Sequence, residues 1–68
     1  MKLSNAIKAA REWDKRLGPD SAKTIFVYQE QDIYGHRIDD YDVIHQDDYY
    51  GGIIPEQAVV WSTSDGYY

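Results

Sequence analysis

The dipeptide Gly18-Pro19 divides the chain into two unlike patterns, and that division constrains the fold more than any other feature of its 68 residues. Before it, Leu3, Ala6, Ile7, Ala10, Trp13 and Leu17 recur at spacings of three and four, which places them on one side of a 3.6-residue repeat. Lys8, Arg11, Glu12, Lys15 and Arg16 fall on the other side. The spacing predicts an amphipathic helix over about 4–17, with Ser4 as its N-cap. Gly18 can take the left-handed closing conformation, and Pro19 cannot continue a helix. Lys15 and Arg16 suit the last turn, where cations meet the negative end of the helix dipole.

After the "GPDS" turn the period becomes that of strands. "KTIFVYQE" is rich in β-branched and aromatic residues around an unbroken apolar centre, which predicts a covered central strand over about 24–30. "IYGHRI" follows, with Gly35 marking a turn or bulge. "DYDVIHQ" alternates and predicts a strand over about 40–46. Tyr41, Val43 and His45 share one face there, and Asp42, Ile44 and Gln46 the other. "YYGGIIPE" carries a Gly-Gly turn signal, with Pro55 ending any strand formed by Ile53 and Ile54. "QAVVWSTS" reads as a last strand over about 57–63, and "DGYY" as a short tail. The expected fold class is α+β: one domain over 1–68, its N-terminal helix packed on a small three- or four-stranded antiparallel sheet.

Composition limits what such a domain can do. At this length a chain buries only about 60% of the surface that its unfolded form exposes. Cysteine is absent, so there is no disulfide framework and no thiolate zinc site. Bulk must come from the two Trp and seven Tyr. No apolar run approaches the roughly 20 residues that span a bilayer, and "MKLSNAIKAAREWDKR" is too charged for a secretory signal. The expected location is cytoplasmic, with no membrane partner.

Charge is sharply segregated. Residues 1–23 carry six Lys and Arg against three Asp and Glu, a net +3. Residues 24–68 carry Arg37 alone against nine acids, a net -8. The centre of this segment is "IDDYDVIHQDDYYGG", residues 38–52, with five Asp, three Tyr and neither Lys nor Arg.

Three chemistries could draw on this charge distribution. A metal would use His36 or His45 with the neighbouring Asp residues. The spacing offers neither a helical His pair nor the Asp-x-Asp-x-Asp-Gly order of a calcium loop. Catalysis would need Ser62, Thr63 or Ser64 to meet a histidine, or a cleft that raises one carboxylate pKa, and no spacing promotes either. No metal, cofactor or catalytic residue is therefore expected. Direct nucleic-acid binding rests only on Lys8, Arg11, Lys15 and Arg16, and the acidic remainder opposes it.

A contact face fits the charge better. Carboxylates at i and i+2 on a strand form a row spaced by roughly 6.5–7 Å. The expected partner-binding residues are Asp39, Asp40, Asp42, Asp47 and Asp48, with Tyr41, Tyr49 and Tyr50 as apolar anchors able to stack on arginine. Their target would be a Lys/Arg-lined surface that ordinarily holds nucleic acid. The plainer alternative is that Asp keeps a tyrosine-rich hairpin soluble and blunts its edges, while the sheet edge or the helix mediates self-association, a homodimer included.

The order "AIKAAREWDKRLGPDSAKTIFVYQEQDIYGHRIDDYDVI" resembles the short acidic accessory proteins of bacteriophages and mobile elements, over roughly the first two thirds of the chain. These include anti-CRISPR and anti-restriction inhibitors, some of which mimic DNA. The resemblance implies a non-enzymatic, phage-encoded inhibitor acting in the host cytoplasm on a protein or ribonucleoprotein complex with a basic surface. It transfers no individual functional residue.

Overall fold

The computed structural model describes residues 1–52 and 54–68. They form a helix α1 (Leu3–Leu17), strands β1 (Ile25–Gln31) and β2 (Arg37–His45), a one-turn helix α2 (Gln46–Tyr49), a 3-10 turn (Glu56–Ala58), and strands β3 (Val59–Ser62) and β4 (Gly66–Tyr67). The fold class is α+β: α1 packs on a four-stranded antiparallel sheet of order β2-β1-β3-β4. Among the described residues, no helix is long and apolar enough to cross a membrane.

The apolar stripe of α1 builds the core. Ala6, Ile7 and Ala10 are buried against Ile25 and Val27 of β1 and Trp61 of β3, with Leu3, Trp13, Tyr41, Val43 and Val60 packed around them. Two alanines at the contact let the helix approach the sheet closely, since interaxial distance follows side-chain size. A bulge in β3 enlarges its share. Val27 pairs with Trp61 but Tyr28 pairs with Val59, so Val60 is the extra residue and packs on the core beside Trp61. Arg11 lies over the Trp61 ring at 5.5 Å and closes the outer side of this core.

The helix starts one residue earlier than expected, and its N-cap is Lys2 in extended conformation rather than Ser4. Met1 explains the difference. Its carbonyl accepts from the Tyr41 N–H at 2.8 Å and its ammonium donates to the Tyr41 carbonyl at 3.0 Å, so it pairs with β2 as a single strand residue. The change from extended to helical backbone follows at once, and the Lys2 carbonyl accepts from Ala6 N–H at 3.0 Å. At the other end the expected stop holds: Gly18 has φ 86 and its N–H donates to the Asp14 carbonyl.

β1 and β2 form a hairpin in register from Ile25 opposite His45 to Gln29 opposite Tyr41, with an irregularity before Gln31 opposite Arg37. Gly35 (φ 82) sits in its turn, so pairing begins at Arg37 and β2 is longer at its start than expected from sequence. Both neighbours of β1 are antiparallel to it, so β2 and β3 run parallel. The described residues 46–52 and 54–58 must therefore carry the chain back along the sheet. They cross the face opposite α1, where Tyr49 packs on Phe26 with ring centroids 4.5 Å apart and Arg37 Nη2 donates to the Gln57 carbonyl at 3.0 Å. Of the suggested Ile53–Ile54 strand, Ile54 lies in a bend, and Ile53 is outside the described residues.

The expected "DGYY" tail is instead β4, the edge strand. Trp61 pairs with Tyr67 and Ser62 with Gly66. Ser62 is fully buried, and its hydroxyl oxygen accepts from Asp65 N–H at 3.0 Å and lies 3.1 Å from the Tyr68 hydroxyl. Tyr68 N–H donates to the Val60 carbonyl at 3.1 Å. One buried hydroxyl thus satisfies itself by fastening the last turn.

Candidate acidic contact face

Strand alternation sorts the acidic stretch. Tyr41, Val43 and His45 point to α1: Tyr41 and Val43 pack on the core, and the His45 ring lies 5.8 Å from that of Trp13. Asp40, Asp42 and Ile44 take the face opposite α1, part of which the crossover covers. On β1, Phe26, Tyr28 and Glu30 share that face, because Ile25 and Val27 are committed to the core. Tyr28 stands directly opposite Asp42.

The result is a row of three carboxylates, Glu30, Asp40 and Asp42, beside one phenol. Their electrostatics report mutual proximity. The Glu30 carboxyl is held above its usual range, first by a carboxyl–carboxyl hydrogen bond with Asp40. Asp40 is held below its usual range, first by the Met1 ammonium and then by Glu30. Tyr28 is pushed up by burial and then by Asp42 and Glu30. A groove lined by Tyr28, Gln29, Glu30, Gln31, Ile54, Pro55 and Ala58 adjoins the row.

The eight residues expected from sequence do not form one patch. Asp40 and Asp42 lie together on the face opposite α1. Asp39 is exposed with the opposite parity, and Tyr41 is half-buried in the core between its two acidic neighbours. Asp47 and Asp48 are exposed in α2, beyond the end of β2. Tyr49 is half-buried on Phe26, while Tyr50 is exposed with its ring 5.6 Å from that of Tyr49. Glu30 and Tyr28 were not in the expected set. Their parity was visible in "IFVYQE", but which acids they would join depends on the β1–β2 register.

Part of the acidity is used locally. Asp42 Oδ1 accepts from Val43 N–H at 2.8 Å and Asp40 Oδ1 from Tyr41 N–H at 3.0 Å. The Met1 ammonium also donates to Asp40. These contacts cap amides on the outer edge of β2, a known way to blunt a sheet edge. At the far end, Asp47 accepts from Lys23 Nζ at 3.0 Å, and its N–H donates to His45 Nδ1 at 3.1 Å, capping α2. The histidines lie at opposite ends of β2, each beside one aspartate: His36 is 3.7 Å from Asp32 and His45 3.8 Å from Asp47. Among the described residues, no group of three His, Asp or Glu side chains could hold a metal ion.

The Lys23–Asp47 pair has a defined pH signature. The Lys23 hydrogen bond holds Asp47 below its usual carboxylate range. The pair therefore contributes stability above the unfolded Asp value of about 3.9, and loses it as pH falls through the lower folded value. Asp47→Asn is expected to melt slightly below the native chain at pH 7, the gap closing on acidification. Thermal melts from pH 7 to pH 2 check this, and a gap of constant size would refute it.

Four basic residues occupy the other side of the molecule. Lys8, Arg11, Lys15 and Arg16 are exposed on α1, across the sheet from the carboxylate row. Comparison with protein-family models, curated proteins and solved structures finds no match for this chain.

Proposed function

We propose that this chain is a small non-enzymatic binding protein that occupies a lysine- and arginine-rich surface of a nucleic-acid-handling complex. A CRISPR effector or comparable host defence machinery is the kind of target meant, with the chain phage-encoded and competing with nucleic acid as a DNA mimic. The observation that carries this reading is the partly exposed Glu30–Asp40–Asp42 row beside Tyr28, on the sheet face opposite α1, with four cations segregated behind it. Duplex DNA presents closely repeated negative charge, and its partners meet it with Lys and Arg. A carboxylate row offers such a surface a similar charge pattern, and a neighbouring phenol offers arginine a ring face.

The edge-capping contacts of Asp40 and Asp42 favour a second reading, in which acidity only protects the β2 edge and keeps the chain dispersed. Salt separates the two. On the first reading, the purified chain displaces a labelled DNA duplex from a CRISPR effector ribonucleoprotein at 50 mM salt. The displacing concentration then rises about tenfold or more by 300 mM, because charge-steered encounters are screened. Absence of displacement at low salt, with light scattering that grows with concentration, would support the second.

A further inference from the structure

We propose that the β1–β2 turn is a preformed apolar plug, Ile33–Tyr34, that seats in an apolar pocket rimmed by Lys or Arg on the protein partner. The cationic rim rests on the functional reading above; the plug itself rests on different residues.

Ile33 is 92% exposed and Tyr34 79%, the highest values among the described large hydrophobic residues. Single exposed apolar side chains are ordinary. Here two are adjacent, at the outermost point of a hairpin, on a closely fastened backbone. Asp32 N–H donates to the His36 carbonyl at 2.8 Å, and Gly35 N–H to the Asp32 carbonyl at 3.0 Å. Asp32 Oδ1 accepts from both Tyr34 N–H and His36 N–H, each at 2.9 Å. Gly35 closes the turn at φ 82, the geometry of a three-residue hairpin loop ending in a left-handed residue. Four hydrogen bonds across five residues hold Ile33 and Tyr34 outward before any partner arrives. A contact preorganised in this way loses little conformational entropy on binding, and a rigid aromatic beside an aliphatic side chain is a common interface anchor.

Charge on the same hairpin selects the partner. Behind the tip stand Glu30, Asp39 and Asp40, while the one arginine nearby, Arg37, has its guanidinium turned to the Gln57 carbonyl. An inserted tip would bring these carboxylates against the rim of the receiving pocket, so a cationic rim matches and an anionic one does not. The same charge opposes entry into a lipid surface bearing anionic headgroups.

The test uses the full-length chain and the partner protein that the native chain retains from host extract at 50 mM salt, purified and immobilised. The double variant Ile33→Ser with Tyr34→Ala is expected to melt like the native chain, since both side chains are exposed. It is expected to dissociate about thirtyfold faster or more, the range of an interface hot spot, with an unchanged salt dependence of association. Neutralising Glu30, Asp40 and Asp42 is expected to do the converse, slowing association and flattening its salt dependence. A double variant that dissociates within a factor of two of native overturns the plug and leaves the electrostatic reading standing. Faster dissociation of the tip variant with no effect of neutralisation does the reverse. Retention of no protein at all overturns both, and binding of the native chain to phosphatidylcholine vesicles, lost in the double variant, assigns the tip to lipid and overturns the plug.

Discussion

Trp61→Ala is expected to remove most of the stability of this fold. Trp61 is 5% exposed at the centre of the core, touching the α1 layer from β3, and the β3 bulge exists where it and Val60 both turn inward. Truncating a buried aromatic to alanine costs about 3–5 kcal/mol, because the lost burial is compounded by a cavity. Domains of this length have about 3–10 kcal/mol in total, at 0.05–0.15 kcal/mol per residue. The loss is therefore of the same order as the whole. In melting temperature it corresponds to a fall of at least about 12 °C, taking 4–8 °C per kcal/mol for a small domain. The measurement is a circular-dichroism melt, supported by tryptophan emission, which in this variant comes from Trp13 alone. Trp61→Phe keeps a large apolar ring and is expected to lose much less. A melt for Trp61→Ala within about 4 °C of native would show that the core closes over the cavity or that α1 packs elsewhere.

How much of this was legible in the sequence depends on the range of the interactions involved. α1 was readable because its information is local: a stripe at helical spacing, then a glycine able to adopt φ 86 and a proline. β1 was readable because its centre is apolar on both faces, and the structure shows why. Ile25 and Val27 meet the helix while Phe26 lies under Tyr49 from the crossover. β4 was missed because two residues carry no periodic signal. What makes them a strand is the buried Ser62 hydroxyl and the Tyr68-to-Val60 hydrogen bond, both set by tertiary position. α2 was missed for a similar reason, since its cap is the His45 ring nitrogen rather than a Ser, Thr, Asp or Asn. The Ser4 cap failed because Met1 is bound to β2, a contact forty residues away in sequence.

The candidate site followed the same rule. That Asp40 and Asp42 share a face was readable from alternation alone, and so was the turn of Tyr41 away from them. That Glu30 joins them required the register of β1 on β2, and that Asp47 is paired with Lys23 required the packing of the turn after α1. That "IYGHRI" holds a turn or bulge was readable from Gly35. That the turn is fastened through the Asp32 side chain, leaving Ile33 and Tyr34 exposed, was not.

Neutralising the carboxylate row is the change expected to alter binding most. Glu30→Gln, Asp40→Asn and Asp42→Asn together remove three negative charges while keeping shape. The amide oxygens of the two Asn can still accept from Tyr41 and Val43 N–H, so edge capping survives. The variant loses the ion pair between Met1 and Asp40, and it also removes the carboxyl that the Asp40 hydrogen bond, burial and the neighbouring charges hold above its usual range at Glu30. These effects oppose one another at exposed positions, so its melt should stay near native, and a melt near native is the control that folding is intact. Binding should weaken sharply. Steering by a focused charge cluster raises association rates by about 10–1,000-fold, and the triple variant is expected to lose association by a factor in that range, with a flatter salt dependence. The comparison that gives this meaning is Asp20→Asn with Asp48→Asn, which removes two exposed charges from elsewhere on the molecule, one in the turn after α1 and one in α2. If only net charge matters, both variants weaken binding in proportion to the charge removed. If the row is the contact, the triple variant falls far more than proportion allows. Equal association rates for the triple variant and the native chain at 50 mM salt would end the nucleic-acid-mimic reading and leave the acids as protection for the β2 edge.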